Sequence, residues 1–276
     1  EAYSKDNPDV KVEVKGATSE TAYDEQQNMI ETDLNSGAYD AFVIAPLQAD
    51  LVKTLIANKT DPIIAVDTNI DAPEVLSFVG TGNEDAAAMG GKAAVEAAKA
   101  AGWDKVQAIA ISGVQGDGTA MARLNGYEKG ITEAGGEFLK GEIQYADAVA
   151  DKAATSMEAI MQNHPDGVAI IVCNNDDMAL GAINALVNAG YNLPGGEGCT
   201  VIPVFGVDAT EAAKELIANK QMTGSIKQDA EGMADAVATI TANLIEGKDK
   251  FEGLNENYEV VDGWTVNIPY SVYTGE

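Results

Sequence analysis

The chain has 276 residues, 44 of them Asp or Glu against 17 Lys or Arg, for a formal net charge of -27. That balance leaves no basic stripe for a phosphate backbone and disfavours anionic membranes and anionic solutes, so no nucleic-acid partner is expected. With 46% apolar and 22% charged residues, the composition is that of a globular chain long enough for two ordinary domains.

In chain order, Glu1 to Lys5 reads as the end of a helix, Asn7-Pro8 as a break and Val10-Lys11-Val12-Glu13-Val14 as an alternating strand. A doubly wound domain begins on a strand, so upstream residues that include a first strand are expected to be missing from this sequence. Helix Ala22 to Leu34, strand Ala41 to Ala45, helix Ala49 to Ala57, strand Ile63 to Val66 and the run Leu76 to Val79 complete a first lobe. An Ala-rich helix, Glu84 to Ala101, opens a second. Strand Val106 to Ile111, helix Thr119 to Ala134, strand Phe138 to Ile143 and helix Asp151 to Asn163 follow. Val168 to Val172 is a continuous β-branched run of the kind buried on both faces of a parallel sheet, and Asp176 or Asp177 can cap the next helix. Asn175 is thereby left at a strand's carboxyl end. Val201 to Val207 repeats the pattern and ends in Asp208 before helix Glu211 to Asn219; helix Gly232 to Glu246 follows. Strands alternating with helices of this length form parallel βαβ units, and open sheets of that type bind ligands outside the carboxyl ends of their strands.

Enzyme chemistry finds little footing. His164 is the only histidine and precedes Pro165 at a helix end, where a surface cap explains it; no His triad or His metal pair can be built. Gly113 to Gly118 has the glycines of a phosphate loop without its Lys-Ser/Thr ending, and reads as an entry to a helix N-terminus. Asp176 and Asp177 are sequence neighbours that tend to point apart, a weak acid pair. Cys173 near the end of one strand and Cys199 near the start of another are poorly placed for a disulfide. No catalytic residue, cofactor or metal is expected.

The run Asn174 to Ala182 (NNDDMALGA), the stretch Ile202 to Ala209 (IPVFGVDA), the strand end Gly224-Ser225-Ile226-Lys227-Gln228 and the closing Val266-Asn267-Ile268-Pro269-Tyr270 resemble the galactose- and ribose-type sugar-binding proteins of bacterial ABC importers. The resemblance covers most of the chain. It implies an α/β fold of two doubly wound parallel-sheet lobes joined by a hinge, the type I periplasmic binding protein fold. Lobe crossings implied by it divide the chain into 1–81 with 229–268 and 82–228 with 269–276. The implied function is capture of a monosaccharide, galactose-, glucose- or ribose-like, in an interlobe cleft by a hinge motion, and delivery to the membrane permease of an ABC importer. The expected location is extracytoplasmic, in a periplasm or lipid-anchored on the outer face of the cell membrane. A monomer is expected, and a chemoreceptor is a further partner of the class.

A sugar presents neighbouring hydroxyls that each donate and accept, so planar side chains with paired polar atoms suit it. Such residues follow the strands: Asp67 with Thr68 beside it, Asn175, Asp208 and Gln228, with Arg123 in the helix after Gly116-Asp117-Gly118. By position, Asp67, Arg123, Asn175, Asp208 and Gln228 match ligand contacts of the resembling family. Taken singly, Asp67 could be an Asx-turn residue, Asp208 a helix cap, Asn175 a turn residue and Arg123 a solvated charge paired with Glu128 or Glu133. The family's usual aromatic platform is replaced by Ala148, with Tyr145 three residues earlier and better read as an exposed strand residue. Ala45-Pro46 stands where many relatives carry a polar residue, and Ala101 to Lys105 is too short for the calcium loop of the galactose branch. The competing reading is the effector-binding domain of a sugar-responsive transcription repressor, which shares the two-lobed fold.

Overall fold

Alternation within the buried strands sets each of two sheets between helical layers. The computed structural model describes residue 7 and residues 9 to 275; the expected helix end at Glu1 to Lys5 lies outside them, as does Pro8 of the expected break. The chain forms two compact units, one running to Thr81 and resuming over Asp229–Pro269, the other taking Gly82–Gln228 and resuming at Tyr270. The first stretch holds α1 (Tyr23–Ser36), β1 (Phe42–Ile44), α2 (Ala49–Ile56), β2 (Ile63–Val66) and β3 (Val75–Gly80). Next come α3 (Asn83–Ala100), β4 (Gln107–Ser112), α4 (Gly118–Glu133), β5 (Glu137–Phe138), β6 (Gln144–Tyr145), α5 (Ala150–Asn163), β7 (Ile170–Cys173), α6 (Asp176–Asn188), β8 (Val204–Val207), α7 (Glu211–Ala218) and β9 (Gly224–Gln228). The chain closes with α8 (Ala230–Glu246), β10 (Glu259–Val261), β11 (Thr265–Asn267) and β12 (Tyr270–Tyr273).

In the first unit the sheet order is β1-β2-β3-β11-β10. All neighbours are parallel except β10 with β11, a hairpin. Ile63 and Ala65 face one way, onto Leu34, Val52 and Ile56 of α1 and α2. Ile64 and Val79 face the other, with Val266, onto Met233, Ala236 and Ile240 of α8. A strand buried on both sides has no polar face to show, which is why Ile63–Val66 reads as an unbroken apolar run. The expected strand Val10–Val14 is a correction: the segment is irregular and its valines are exposed, Val14 to 80%. Period-2 alternation makes a strand only when a neighbour completes the ladder, and among the described residues none pairs with it. Side chains tie it down instead, Lys15 to Asp33 at 2.7 Å and the Tyr39 hydroxyl donating to Glu13 at 2.7 Å.

The second unit orders its sheet β12-β9-β8-β7-β4-β5, with β6 also on β4. Ile109, Ile111, Ile171 and Cys173 point to the layer of α5 and α6, with Met157, Ile160, Ile183 and Leu186. Ala108, Ala110, Ile170 and Val172 point to α3 and α4, with Ala94, Val95, Tyr127 and Ile131. Burying one such Ile or Leu side chain stabilises the fold by about 1.5–3 kcal/mol. Here the expected continuous strand Phe138 to Ile143 is corrected to two short pieces separated by a 3₁₀ turn over Lys140–Glu142. Both pieces pair with β4, so this edge strand is interrupted. Among the described residues, no strand flanks its outer side to hold Gly141 in register.

The Ala-rich character of α3 has a packing cause. A Cβ built on Gly126 or Gly130 of α4 would come within 2.1 Å of the Glu84 carbonyl oxygen and 2.0 Å of the Ala88 carbonyl oxygen. The two helices therefore touch backbone to backbone, which only small residues permit. Among the described residues, no helix is long and apolar enough to cross a membrane.

Candidate functional site

In the second unit four loops leave the carboxyl ends of adjacent parallel strands, and polar residues cluster there. Asn174 follows β7 and is 3% exposed. Its amide donates to the Ser112 hydroxyl at the end of β4 (3.1 Å) and to the Ala120 carbonyl in the first turn of α4 (3.0 Å). Its own backbone carbonyl accepts from Arg123 Nη1 at 2.7 Å, and Arg123 Nε donates to Asn83 Oδ1 at 3.0 Å. Arg123 is accordingly buried, at 9% exposure. The pairing with Glu128 or Glu133 does not form; those acids bind Lys140 and Lys92. Asp117 caps α4 by accepting from the Ala120 N–H at 2.7 Å, which fixes the turn from which Arg123 projects.

Asn175 itself caps α6, its Oδ1 accepting from the Met178 N–H at 2.9 Å. This corrects the expected cap at Asp176 or Asp177: Asn175 still has extended backbone, φ -147, and so can reach back to the first turn, whereas the acids are already helical. The amide nitrogen of Asn175 also lies 3.5 Å from the carbonyl of Ala148, which turns with φ 61. Asp176 and Asp177 do point apart, the first fully buried and the second exposed.

Asp176 accepts from the Ser225 hydroxyl at 2.6 Å and from the Thr210 N–H at 2.7 Å. Burial pushes its carboxyl above the usual carboxylate range, and those hydrogen bonds pull partly against the shift. The first turn of α6 adds favourable dipole to the charged form. Gly206 in β8 gives the carboxylate room, since a Cβ there would stand 2.3 Å from Asp176 Oδ1.

Asp208 follows β8, exposed, with φ 109, and its N–H donates to the Ile226 carbonyl at 2.7 Å. It is not the cap of α7; Thr210 is, accepting from the Ala213 N–H at 3.3 Å. Gln228 ends β9, half-buried and opposite Tyr270 of β12 in an antiparallel pair. In the first unit Asp67 follows β2 with φ 63, its N–H donating to the Val79 carbonyl at 2.9 Å, and the Thr68 N–H donates to the Val66 carbonyl at 2.7 Å. Both are half-buried. The second unit thus gathers Arg123, Asn175, Asp208 and Gln228 at one end of its sheet, while Asp67 and Thr68 belong to the corresponding end of the first unit's sheet.

Sequence reasoning missed Asn174, Asn83 and Asp176, which make the contacts beneath these residues. The signal available was the four consecutive polar residues after a buried strand, more than one helix cap requires. Tyr127 was missed likewise: it is fully buried and its hydroxyl donates to the Cys173 carbonyl at 2.9 Å. Burial pushes the Tyr127 phenol and the Cys173 thiol up, so neither ionises in the ordinary range. Tyr127→Phe is expected to cost about 1 kcal/mol, by leaving that carbonyl without its 2.9 Å donor, and to lower Tm by about 2 to 4 °C in a thermal melt.

Both cysteines are free. His164 ends α5 and contacts Glu142 on the 3₁₀ turn. Tyr145 is 38% exposed. Among the described residues no cluster of three or more His, Cys, Asp or Glu could hold a metal ion. A cavity of about 350 Å³ in the second unit is lined by Met157, Met161, His164, Tyr191 and Ile202. Its lining includes Gly167 and Val168, at the amino end of β7, so it lies away from Asn175.

Known proteins share this architecture. The chain is 29% identical over 170 residues to the D-galactose/methyl-galactoside binding periplasmic protein MglB of Haemophilus influenzae, an alignment covering 60% of this chain and 47% of that protein. It is 27% identical to the ribose import binding protein RbsB of Escherichia coli, over 78% of this chain and 71% of that protein. The chain thus spans about half the length of the first of these relatives. Among solved structures, a carbohydrate transporter solute-binding protein from Agrobacterium radiobacter in complex with D-arabinose superposes with a TM-score of 0.83 at 21% identity, over 99% of this chain and 86% of that one. At that identity the likeness is one of fold. Both relatives are named as binding proteins, the second as one of ribose import. A profile of the periplasmic binding protein domain matches residues 1–249, and the chain belongs to that family.

Proposed function

We propose that this protein captures a neutral monosaccharide, or a closely related polyol, and delivers it to the permease of an ABC importer. Asp67, Thr68, Arg123, Asn175, Asp208 and Gln228 are its polar ligands, with both lobes contributing. The observation that carries the reading is the placement of these side chains at the carboxyl ends of parallel strands, where open α/β sheets take ligands. The set mixes acceptors, donors and one guanidinium, which matches hydroxyls better than it matches an ion. Closure on the solute would shift an open-closed equilibrium by the extra affinity of the closed state for the sugar. The names of the ribose- and galactose-binding relatives support transport over the repressor reading. On this reading the protein works outside the cytoplasm, in a periplasm or lipid-anchored on the outer face of the cell membrane, as a monomer, with a chemoreceptor as a further docking partner.

A thermal-shift screen against pentoses, hexoses, inositols and nucleosides tests it. A ligand at about a hundred times its Kd adds about 2.7 kcal/mol, which for a protein of this size raises Tm by roughly 5 to 10 °C. A shift of that size with one sugar supports the reading and names the solute. Flat melts across the panel would sink the sugar assignment.

A further inference from the structure

We infer that Asp176 is the positioning residue for Asp208: a fully buried carboxylate that holds the β8–α7 turn in the conformation from which Asp208 meets the ligand. The inference rests on the sugar-binding reading of Asp208. Asp176 is 0% exposed and so does not itself reach a solute. What it reaches is the turn. Its Oδ2 accepts from the Thr210 N–H at 2.7 Å, two residues past Asp208, and its Oδ1 accepts from the Ser225 hydroxyl at 2.6 Å. That hydroxyl oxygen accepts in turn from the Ala209 N–H at 3.0 Å. The two backbone N–H groups following Asp208 are therefore both secured, directly or through one hydroxyl, by the same side chain.

The turn needs such a clamp. Asp208 and Ala209 both have left-handed backbone, φ 109 and φ 50, which residues with a Cβ adopt only when the surroundings over-determine it. Left alone, the pair would relax to a commoner turn and swing the Asp208 carboxylate away. Asp176 sits at the first position of α6, so the clamp is anchored on a helix start, while Asn175 is held by its own bond to the Met178 N–H. Gly206 completes the arrangement: any side chain there would strike Asp176 Oδ1. A carboxyl group suits the task because its two oxygens each take one donor, the Thr210 N–H on Oδ2 and the Ser225 hydroxyl on Oδ1.

The experiment compares Asp176→Ala, Asp176→Asn and Asp176→Ser in the full chain. Amide hydrogen exchange comes first because it needs no ligand. In Asp176→Ala the Ala209 and Thr210 amides are expected to exchange at least about tenfold faster, with amides inside β7 and α6 unchanged. Unchanged exchange at both overturns the inference. With a sugar identified by the thermal screen, Asp176→Ala is expected to weaken Kd by about tenfold or more. Asp176→Asn keeps an oxygen for the Thr210 N–H and is expected to restore most of the loss. In an Asp208→Asn background the effect of Asp176→Ala should shrink toward none, since both act through one contact. Losses that multiply independently would mean that Asp176 serves stability alone, and that would overturn the inference too. Should Asp176→Ala fail to fold, Asp176→Ser, whose shorter side chain cannot span to the Thr210 N–H, carries the test, with faster exchange at Thr210 as the required result. If the unaltered protein binds no sugar, the functional reading falls, and the exchange data alone decide the clamp.

Discussion

Exchanging Gly130 for alanine is expected to lower Tm by about 5 to 10 °C, a loss of roughly 3 kcal/mol. The usual sign of this substitution in a helix is the opposite, because alanine is favoured over glycine there by about 1 kcal/mol. Space reverses it. The added Cβ would stand 2.0 Å from the Ala88 oxygen, 2.7 Å from its carbonyl carbon and 2.8 Å from its Cα. These are backbone atoms of α3 and cannot rotate aside, so the helices must part and the apolar layer of Ala94, Val95, Tyr127 and Ile131 must loosen with them. Gly118, at the first position of the same helix, has nothing within 4 Å of its Cβ position. Gly118→Ala is thus the control, expected to leave Tm unchanged or raise it slightly. Equal melting of the two variants would show that α3 and α4 lie farther apart than the geometry here requires.

Asp208→Ala is expected to weaken sugar binding by about a hundredfold or more, the effect of removing a charged acceptor from a desolvated hydroxyl pair. The fold should survive, because the side chain is exposed. Asp208→Gly sharpens the result. At φ 109 a glycine relieves strain that any Cβ incurs, so this variant is expected to melt higher while binding no better than the alanine variant. Titration calorimetry and thermal melts of the two variants give both numbers. Full affinity in either one removes Asp208 from the ligand set.

The parts of the fold that depend on apolar periodicity were legible in the sequence. Ile63–Val66 has the bounds its residue pattern gives, and α4 begins one residue before the expected Thr119. Segments whose state depends on a neighbour were not. Val10–Val14 alternates as a strand should and is none, and Lys140-Gly141-Glu142 interrupts an edge that periodicity draws as continuous. The strand ends carrying Asp67, Asn175, Asp208 and Gln228 were legible for the same reason as the strands. What lies beneath them was not, because hydrogen bonding is a three-dimensional fact: nothing in NNDD tells which acid turns inward. Arg123 shows the limit from the other side. Its residue type suggests a solvated charge, and only the carbonyl of Asn174 and the amide oxygen of Asn83 explain why it is buried.

The interleaving of the chain between two sheets has a consequence for synthesis on the ribosome. The sheet of the second unit draws all its strands but β12 from the continuous run Gln107–Gln228, and can assemble as that run emerges. The first sheet cannot. β3 waits for β11, whose Val266 pairs with Val79, so a buried strand made early keeps an open edge until residue 266 has been translated. Closing so long a loop is entropically slow. During that interval the nascent first sheet is the segment most exposed to pairing with other chains, and a chaperone that shields Val75–Gly80 would raise yield without altering the finished protein.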